Sequence, residues 1–258
     1  MKEYPFYIGD AQGVCAEEPV DLRALKRDRR HEAEAKFYKA EPGLVDAVNV
    51  ALLLGQPLLL TGEPGTGKTQ LAYSLGCQLG YEVLKFDTKS TSVARDLFFI
   101  FNTLGQFHAA QLKLGNPDGK DFIDYQALGL AILRSRREDE VKEWLPDNFK
   151  HGGKQRSIVL IDEIDKAPRD FPNDLLNQIE QLYFSVPELG TGNRKIEADE
   201  QLRPIIIITS NSEKSLPDPF LRRCIFYNIS FPEDPKRLED IVLAHLADFG
   251  VEPTRWLD

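Results

Sequence analysis

One eight-residue run constrains the fold of this 258-residue chain more than any other feature. It fits the pattern G-x-x-x-x-G-K-[ST] and consists of Gly62, Glu63, Pro64, Gly65, Thr66, Gly67, Lys68 and Thr69. The run follows an apolar stretch and precedes a helical pattern, which is the context that the pattern requires. Its glycines allow backbone amides to point inward at a helix N-terminus, where they can bind phosphate oxygens. The run therefore predicts a phosphate-binding loop between a strand and a helix, with Lys68 neutralising phosphates and the Thr69 hydroxyl binding Mg²⁺.

A second motif places two adjacent carboxylates after an aliphatic run, Ile158-Val159-Leu160-Ile161. Asp162 and Glu163 then lie at the carboxyl end of a predicted strand, where open α/β sheets bind ligands. We expect Asp162 to hold Mg²⁺ through water opposite Thr69, and Glu163 to act as the general base for an attacking water. Asp165 is interpreted more simply, as a charge or cap at a helix N-terminus.

Two further segments contribute candidate residues. Asn211 follows the apolar run Pro204–Ile208 within Thr-Ser-Asn, where its amide can orient water beside a γ-phosphate, although asparagine is also ordinary in turns. Arg222 and Arg223 precede another apolar run, and either arginine could reach a phosphate bound by a neighbouring subunit. The alternative for both arginines is a surface ion pair of little energetic consequence.

Alternating apolar runs and helical patterns predict an α/β fold, an αβα sandwich around a five-stranded, mostly parallel sheet. The predicted strands are PLLL, EVLKF, SIVLI, PIIII and CIFYNI. We divide the chain into a polar extension (1–40), a core domain (41–232) and a short C-terminal part (233–258). Two insertions interrupt the core, at 88–125 and 184–203, the second with a turn at Gly190–Asn193.

Bulk composition limits the classes of partner and compartment. Lys plus Arg number 32 against 41 Asp plus Glu, so the net charge of -9 disfavours nucleic acid and favours protein partners. The three cysteines are far apart and suit neither a zinc site nor a disulfide framework, so we expect reduced, cytoplasmic thiols. The N-terminus has no apolar signal core, and no aliphatic run approaches a membrane span.

Together these motifs resemble the AAA+ superfamily of P-loop NTPases and, within it, the MoxR family. The matching stretches are GEPGTGKT (Walker A), IVLIDEIDKAP (Walker B) and IITSNSEKSLPDPFLRRC (sensor 1 and arginine finger). The resemblance implies that the chain binds and hydrolyses ATP with Mg²⁺. It assigns Asn211 to sensor 1 and Arg223 to the finger, with Arg222 as the near rival.

The resemblance also implies a hexameric ring that acts as a chaperone or remodelling motor, with a partner bearing a von Willebrand factor A domain. The two insertions match a helix-2 insert and a pre-sensor-1 hairpin, which in related proteins face the pore or the substrate. Phe98, Phe99 and Phe101 are therefore candidates for partner contact, although the core of the insertion is the favoured interpretation of their spacing. Residues 233–258 hold one predicted helix, Pro235 to Phe249, so we expect the family's helical lid to be largely absent.

Other functions remain open at this point. One alternative is a nucleotide-dependent regulatory switch in a conflict or signalling system. Such a switch has less need of a general base, so the presence of Glu163 favours the motor. A DNA-acting AAA+ motor requires a basic stripe, which the acidic composition disfavours. A small-molecule kinase fits poorly with the acidic pair, Asn211 and the two arginines.

Overall fold

A central five-stranded sheet organises the computed structural model, which describes residues 35–111, 119–190, 194–211 and 215–246. Its strands, numbered along the chain, are β1 (Leu58–Thr61), β2 (Glu82–Asp87), β5 (Ser157–Asp162), β8 (Ile205–Ser210) and β9 (Ile225–Asn228). They lie in the order β2-β5-β8-β1-β9, and every neighbouring pair is parallel. The five predicted strands are confirmed, and this sheet is parallel throughout.

Helices cover both faces of the sheet because side chains along each strand alternate between two cores. Leu58 and Leu60 of β1 pack in one buried cluster with the helices Pro42–Leu54 and Lys68–Leu79. Leu59 packs in the other cluster, with the helices Ala127–Ser135 and Phe171–Gln181. The predicted αβα sandwich is thus confirmed. The helices are α1 (Pro42–Leu54), α2 (Lys68–Leu79), α3 (Thr103–Gln111), α4 (Ala127–Ser135), α5 (Glu138–Val141), α6 (Phe171–Gln181), α7 (Asp218–Leu221) and α8 (Pro235–Leu246).

The two predicted insertions each contain a short antiparallel ribbon. The first holds β3 (Phe99–Phe101) and β4 (Ile123–Tyr125), and the second holds β6 (Tyr183–Phe184) and β7 (Ile196–Glu197). Residues 191–193 of the predicted turn lie outside the described residues. Short 3₁₀ helices complete the description, at Ala94–Leu97, Gly119–Phe122, Ile164–Lys166, Pro187–Leu189 and Glu200–Leu202.

The insertions pack against each other through aromatic rings. Phe98 stacks on Phe184 with ring centroids 5.2 Å apart, and Arg95 forms a 3.0 Å ion pair with Glu188. Phe98 and Phe99 are buried, and Phe101 packs against the same core. These phenylalanines therefore form the core of the first insertion, as their spacing favoured.

The C-terminal helix α8 is tied to the main domain by one acidic residue. Glu41, directly before α1, accepts a 2.6 Å hydrogen bond from Tyr227 Oη and pairs with Arg237 of α8 at 2.6 Å. Most of the polar extension and residues 247–258 lie outside the described residues. No helix in the described ranges is both long and apolar enough to cross a membrane.

The cysteines differ in part from the sequence expectation. Cys77 of α2 is disulfide-bonded, so the expectation of reduced thiols is wrong for this residue. Cys224 is a free thiol, and burial raises its pKa to about 12.

Candidate active site

The loop Gly62–Gly67 connects β1 to α2 at the carboxyl edge of the sheet. Gly62 has a φ of 143°, and a Cβ there would lie 2.2 Å from the carbonyl oxygen of Ile229. Gly67, with a φ of 86°, directly precedes the first residue of α2. Only glycine allows this tight course of the backbone. The loop therefore ends on a helix N-terminus, as the sequence motif predicted, and can bind an anion there.

Lys68 lies on the inside of this loop. Its side chain is buried, and Nζ donates to the carbonyl oxygens of Gly62 at 2.8 Å and Glu63 at 2.7 Å. Burial lowers its pKa, while the carboxylates of Asp165, Asp162 and Glu163 act in the opposite direction. The ammonium is thus fixed where phosphate oxygens would replace its neutral carbonyl acceptors, an exchange that gives stronger, charge-assisted hydrogen bonds.

Replacement of Lys68 by alanine is expected to weaken ATP binding by about 10- to 150-fold. A hydrogen bond to a charged group contributes roughly 1.5–3 kcal/mol, and 1.4 kcal/mol corresponds to a tenfold change in Kd. Titration with a fluorescent ATP analogue measures the affinity, with the exposed Lys142→Ala as the control. Equal affinities in both variants would contradict the assigned role of Lys68.

Thr69 and Asp162 provide the oxygens of a candidate Mg²⁺ site. Thr69 Oγ1 donates to Asp162 Oδ1 at 2.9 Å. Adjacent ligands in an octahedron with Mg²⁺–O distances of 2.0–2.1 Å are about 2.9 Å apart, so this oxygen pair fits the ion. No cluster of three or more His, Cys, Asp or Glu side chains suited to a metal occurs among the described residues. Two protein oxygens, completed by phosphate and water, are the usual environment of nucleotide-bound Mg²⁺.

Asp162 is held by more partners than its motif predicted. Its Oδ1 also accepts a 2.6 Å hydrogen bond from Thr209 Oγ1, and its Oδ2 pairs with Lys85 Nζ at 2.8 Å. Lys85 Nζ is shared with Asp87 at 2.7 Å. Burial alone would raise the pKa of Asp162, but the hydrogen bonds from Lys85, Thr209 and Thr69 hold it below its usual value. The carboxylate therefore stays ionised, as a metal ligand must.

Lys85→Met is expected to make the fold more sensitive to acid. A carboxylate whose folded pKa is lowered stabilises the fold at neutral pH, and the contribution is lost as pH falls through that pKa. The raised pKa of Lys85 matters only at alkaline pH. Without Lys85, the pKa of Asp162 is lowered less, so this carboxylate contributes less stability and the fold reaches its acid unfolding midpoint at a higher pH.

Acid titration followed by circular dichroism measures this shift in the unfolding midpoint. Lys89→Met is the matched control, because Lys89 is exposed and forms no ion pair with the described residues. The same midpoint in both variants would exclude a stabilising role for the Lys85–Asp162 pair.

Glu163 adopts a backbone conformation that is uncommon outside glycine. Its φ of 56° and ψ of 53° lie in the left-handed region, directly after β5. Such conformations cost roughly 1–3 kcal/mol, persist only where surrounding contacts enforce them, and cluster at functional sites. Here the Glu163 N–H donates to Thr209 Oγ1 at 2.9 Å.

The carboxylate of Glu163 is engaged on both oxygens. Asn211 Nδ2 donates to Oε1 at 3.0 Å, and Lys166 pairs with Oε2. The structure thus places the predicted base and the predicted sensor asparagine in direct contact. Asp165 is not merely a helix charge, because it is buried and its Oδ1 accepts from the Asn211 N–H at 3.1 Å.

Arg222 and Arg223 lie away from this cluster. Both are exposed, and Arg223 Nε pairs with Glu180 of α6 at 2.5 Å. They precede β9, whose first residue lies in register with Leu58, at the amino end of β1. Both arginines lie before Ile225, and at about 3.3 Å per residue the four strand positions from Ile225 to the level of Gly62 already span roughly 13 Å. This distance exceeds the reach of an arginine side chain, so neither arginine can serve its own loop in this arrangement.

A cleft of about 790 Å³ lies at the opposite edge of the sheet. Pro57, Tyr81 and Ile205, which precede or begin three of the strands, contribute to its lining, and no predicted site residue does. Parallel α/β sheets bind ligands at the carboxyl edge, so the cluster around Lys68, and not this cleft, is the candidate site.

Curated proteins similar to this chain include two Lon proteases. The chain is 25% identical to the Lon protease of Metamycoplasma arthritidis (strain 158L3-1) over 174 residues, 67% of this chain and 17% of that protein. It is 26% identical to Lon protease 1 of Bacillus subtilis (strain 168) over 195 residues, 75% of this chain and 21% of that protein. The chain thus spans about a fifth of the length of these relatives.

A shorter match and one solved structure extend the comparison. The replication factor C large subunit of Nanoarchaeum equitans (strain Kin4-M) is 46% identical over 52 residues, 20% of this chain and 11% of that protein. The Thermotoga maritima RuvB Holliday junction branch migration motor is 17% identical with a TM-score of 0.42, over 81% of this chain and 50% of that one.

A family-level comparison covers most of the chain. Residues 58–232, from β1 to just beyond β9, match the sequence model of one ATPase family. This span includes the glycine-rich loop, both carboxylates and Asn211. The chain therefore belongs to the ATPase family associated with various cellular activities (AAA).

Proposed function

We propose that this chain binds ATP with Mg²⁺ at the carboxyl edge of its sheet, hydrolyses it, and uses hydrolysis to remodel a protein partner. One connected hydrogen-bond chain carries the proposal. It links Thr69 in the first turn of α2, Asp162 and Glu163 at the end of β5, and Thr209 and Asn211 at the end of β8. Strand β8 lies between β5 and β1, and β1 leads through the loop into α2, so the candidate ligands, base and sensor form one site.

Phosphate binding is assigned to the loop Gly62–Thr69. Its backbone amides and the Lys68 ammonium would hold the phosphate oxygens. Thr69 and Asp162 would hold Mg²⁺, which, when bound, neutralises charge on those oxygens. Asp162 is suited to this role as ligand or through a water, because its Oδ1 faces the Thr69 hydroxyl.

Proton transfer is assigned to Glu163, which would accept a proton from the attacking water. Asn211 fixes one carboxylate oxygen and would orient that water. Lys166 occupies the other oxygen, so proton acceptance requires Lys166 to release it. This ion pair favours a second candidate function, a nucleotide-dependent switch with slow turnover.

The arginines are assigned to the site of a neighbouring copy. Because Arg223 lies at the amino end of β9, far from its own loop, it can stabilise transition-state charge only in trans. Arg222 is the alternative donor. When a head-to-tail contact of this kind repeats from subunit to subunit and the last subunit meets the first, the assembly is a closed ring. The MoxR resemblance suggests that the ring is a hexamer.

The first insertion is the proposed contact surface for a protein partner, such as one with a von Willebrand factor A domain. The buried phenylalanines do not provide it. Exposed apolar residues of the described part of this insertion include Ile100, Leu104 and Phe107, with exposed fractions of 50%, 72% and 57%. The net charge of -9 supports a protein partner over nucleic acid.

Steady-state phosphate release from ATP, measured over a range of protein concentrations, tests this function. A motor is expected to turn over well above a protein-free background, at a rate per subunit that rises with concentration and is lost with EDTA. Tight nucleotide binding with turnover near background would favour the switch. Salt-sensitive DNA retention in a filter assay would favour a DNA-acting motor. No binding of ATP at all would contradict the proposed site.

A further inference from the structure

We propose that Thr209, a buried residue of β8 with no predicted role, is a positioning residue for the metal ligand and the base together. Its single hydroxyl contacts Asp162 and Glu163, which follow one another at the end of the neighbouring strand. The inference rests on the proposed function, because it concerns the same Mg²⁺ site and the same base.

The direction of both hydrogen bonds is fixed by chemistry. The Glu163 backbone N–H can only donate, so the Thr209 oxygen must accept there, at 2.9 Å. The hydroxyl proton is then directed to Asp162 Oδ1, which lies 2.6 Å away and accepts because the carboxylate is ionised. Thr209 is fully buried, so no water competes for either bond.

The bond to Asp162 sets which carboxylate oxygen faces the candidate metal position. Thr209 and Thr69 both donate to Oδ1, whereas Lys85 holds Oδ2. The plane of the carboxylate is thus fixed from two sides before any ion binds. Residues that orient a metal ligand in this way contribute about 10- to 100-fold to metal affinity or activity.

The bond to Glu163 supports a strained backbone. The left-handed conformation of Glu163 directs its side chain toward Asn211, and the Thr209 hydroxyl satisfies the N–H of this residue. Without the hydroxyl, the N–H loses its acceptor, and the strain favours a different backbone conformation. One substitution at Thr209 should therefore affect both metal binding and turnover.

Three variants separate this role from simple packing. Thr209→Val keeps the shape of the side chain and removes the hydroxyl. Thr209→Ala also lacks the hydroxyl and avoids any strain from the added methyl group. Thr209→Ser keeps the hydroxyl and loses only a methyl group, so Ser and Ala differ by one oxygen atom.

Electron paramagnetic resonance of Mn²⁺, titrated into each protein with ADP, gives a readout that does not depend on hydrolysis. The valine and alanine variants are expected to bind Mn²⁺ about 10- to 100-fold more weakly than the wild type, and the serine variant within about threefold. The affinity for ADP without metal should be unchanged in all three. Turnover of ATP should follow the same order, with serine near the wild type.

The outcomes are distinguishable from failure of the proposed function. If the wild type binds Mn²⁺ with ADP and does not hydrolyse ATP, hydrolysis fails while the Mn²⁺ comparison still decides the role of Thr209. Equal Mn²⁺ affinities in the serine and alanine variants would overturn the inference. So would wild-type affinity in a folded valine variant. Absence of Mn²⁺ binding by the wild type would instead reject the metal site of the proposed function, and the inference with it.

Discussion

Glu163→Gln is expected to lower the turnover of ATP by roughly 10²- to 10⁴-fold, the range that a positioned general base contributes. The amide cannot accept a proton from water. Its oxygen can still accept the hydrogen bond that Asn211 donates to Oε1, so the surrounding site should be retained. Affinity for ATP should stay near that of the wild type, because the loop and Lys68 are unchanged. Phosphate release and a fluorescent ATP titration measure the two quantities.

A matched Glu→Gln substitution serves as the control for this experiment. Glu138 is exposed at the start of α5, which contributes no residue to the site, so Glu138→Gln should keep wild-type turnover. Wild-type turnover in the Glu163 variant would show that another group acts as base. Background turnover in both the wild type and the variant would favour the switch.

Arg223→Ala is expected to lower the turnover of ATP by about 10³-fold. This value is the lower end of the effect that an arginine finger has on phosphoryl transfer. Binding of ATP should be retained, because Arg223 precedes β9 at the amino edge of the sheet, opposite the loop of its own subunit. The loss should persist at every protein concentration, since a subunit that lacks the finger cannot provide it to its neighbour. Phosphate release across a concentration series measures this effect.

Arg194→Ala is the control for the finger variant. Its ion pair with Glu143, at 2.6 Å, resembles the exposed pair of Arg223 with Glu180 and lies on the second insertion. Exposed pairs of this type contribute little to stability, so a general loss of folding is not expected in either variant. Normal turnover in Arg223→Ala and a loss in Arg222→Ala would reassign the finger to Arg222. Normal turnover in both would reject an arginine donated in trans.

Local sequence patterns were sufficient for the sheet and for part of the site. Each strand is a short apolar run bounded by turns, and burial on both faces of a parallel sheet requires such runs. The loop Gly62–Thr69 and the pair Asp162–Glu163 are contiguous motifs whose chemistry depends on local backbone geometry. Asn211 was interpretable because it directly follows an apolar strand.

The partners of these residues depend on contacts between distant parts of the chain. The run EVLKF contains two charged residues, Glu82 at its start and Lys85 inside it. A charge inside an apolar run is unusual, but it does not identify Asp162 as the partner of Lys85. Thr209 precedes the predicted sensor by two residues, and only the strand order places its hydroxyl between two carboxylate residues. The contact of Asp165 with the Asn211 backbone was missed for the same reason.

The packing of the two insertions was also not predictable from either one alone. Phe98 belongs to the first and Phe184 to the second, and their stacking requires the intervening core to bring them together. The phenylalanines that the sequence marked for partner contact are therefore used internally. Ile100 and Leu104 are exposed, but they are not aromatic, so the sequence did not single them out for partner contact.

Mixing two inactive variants tests the central claim most directly, namely that one subunit provides the base and its neighbour the arginine. Glu163→Gln retains Arg223, and Arg223→Ala retains Glu163, so a mixed assembly contains some complete sites. We predict that phosphate release from the mixture clearly exceeds the sum of the two variants measured separately, and depends on their ratio. A mixture that remains at the sum, although both variants bind ATP and associate, would contradict the shared site.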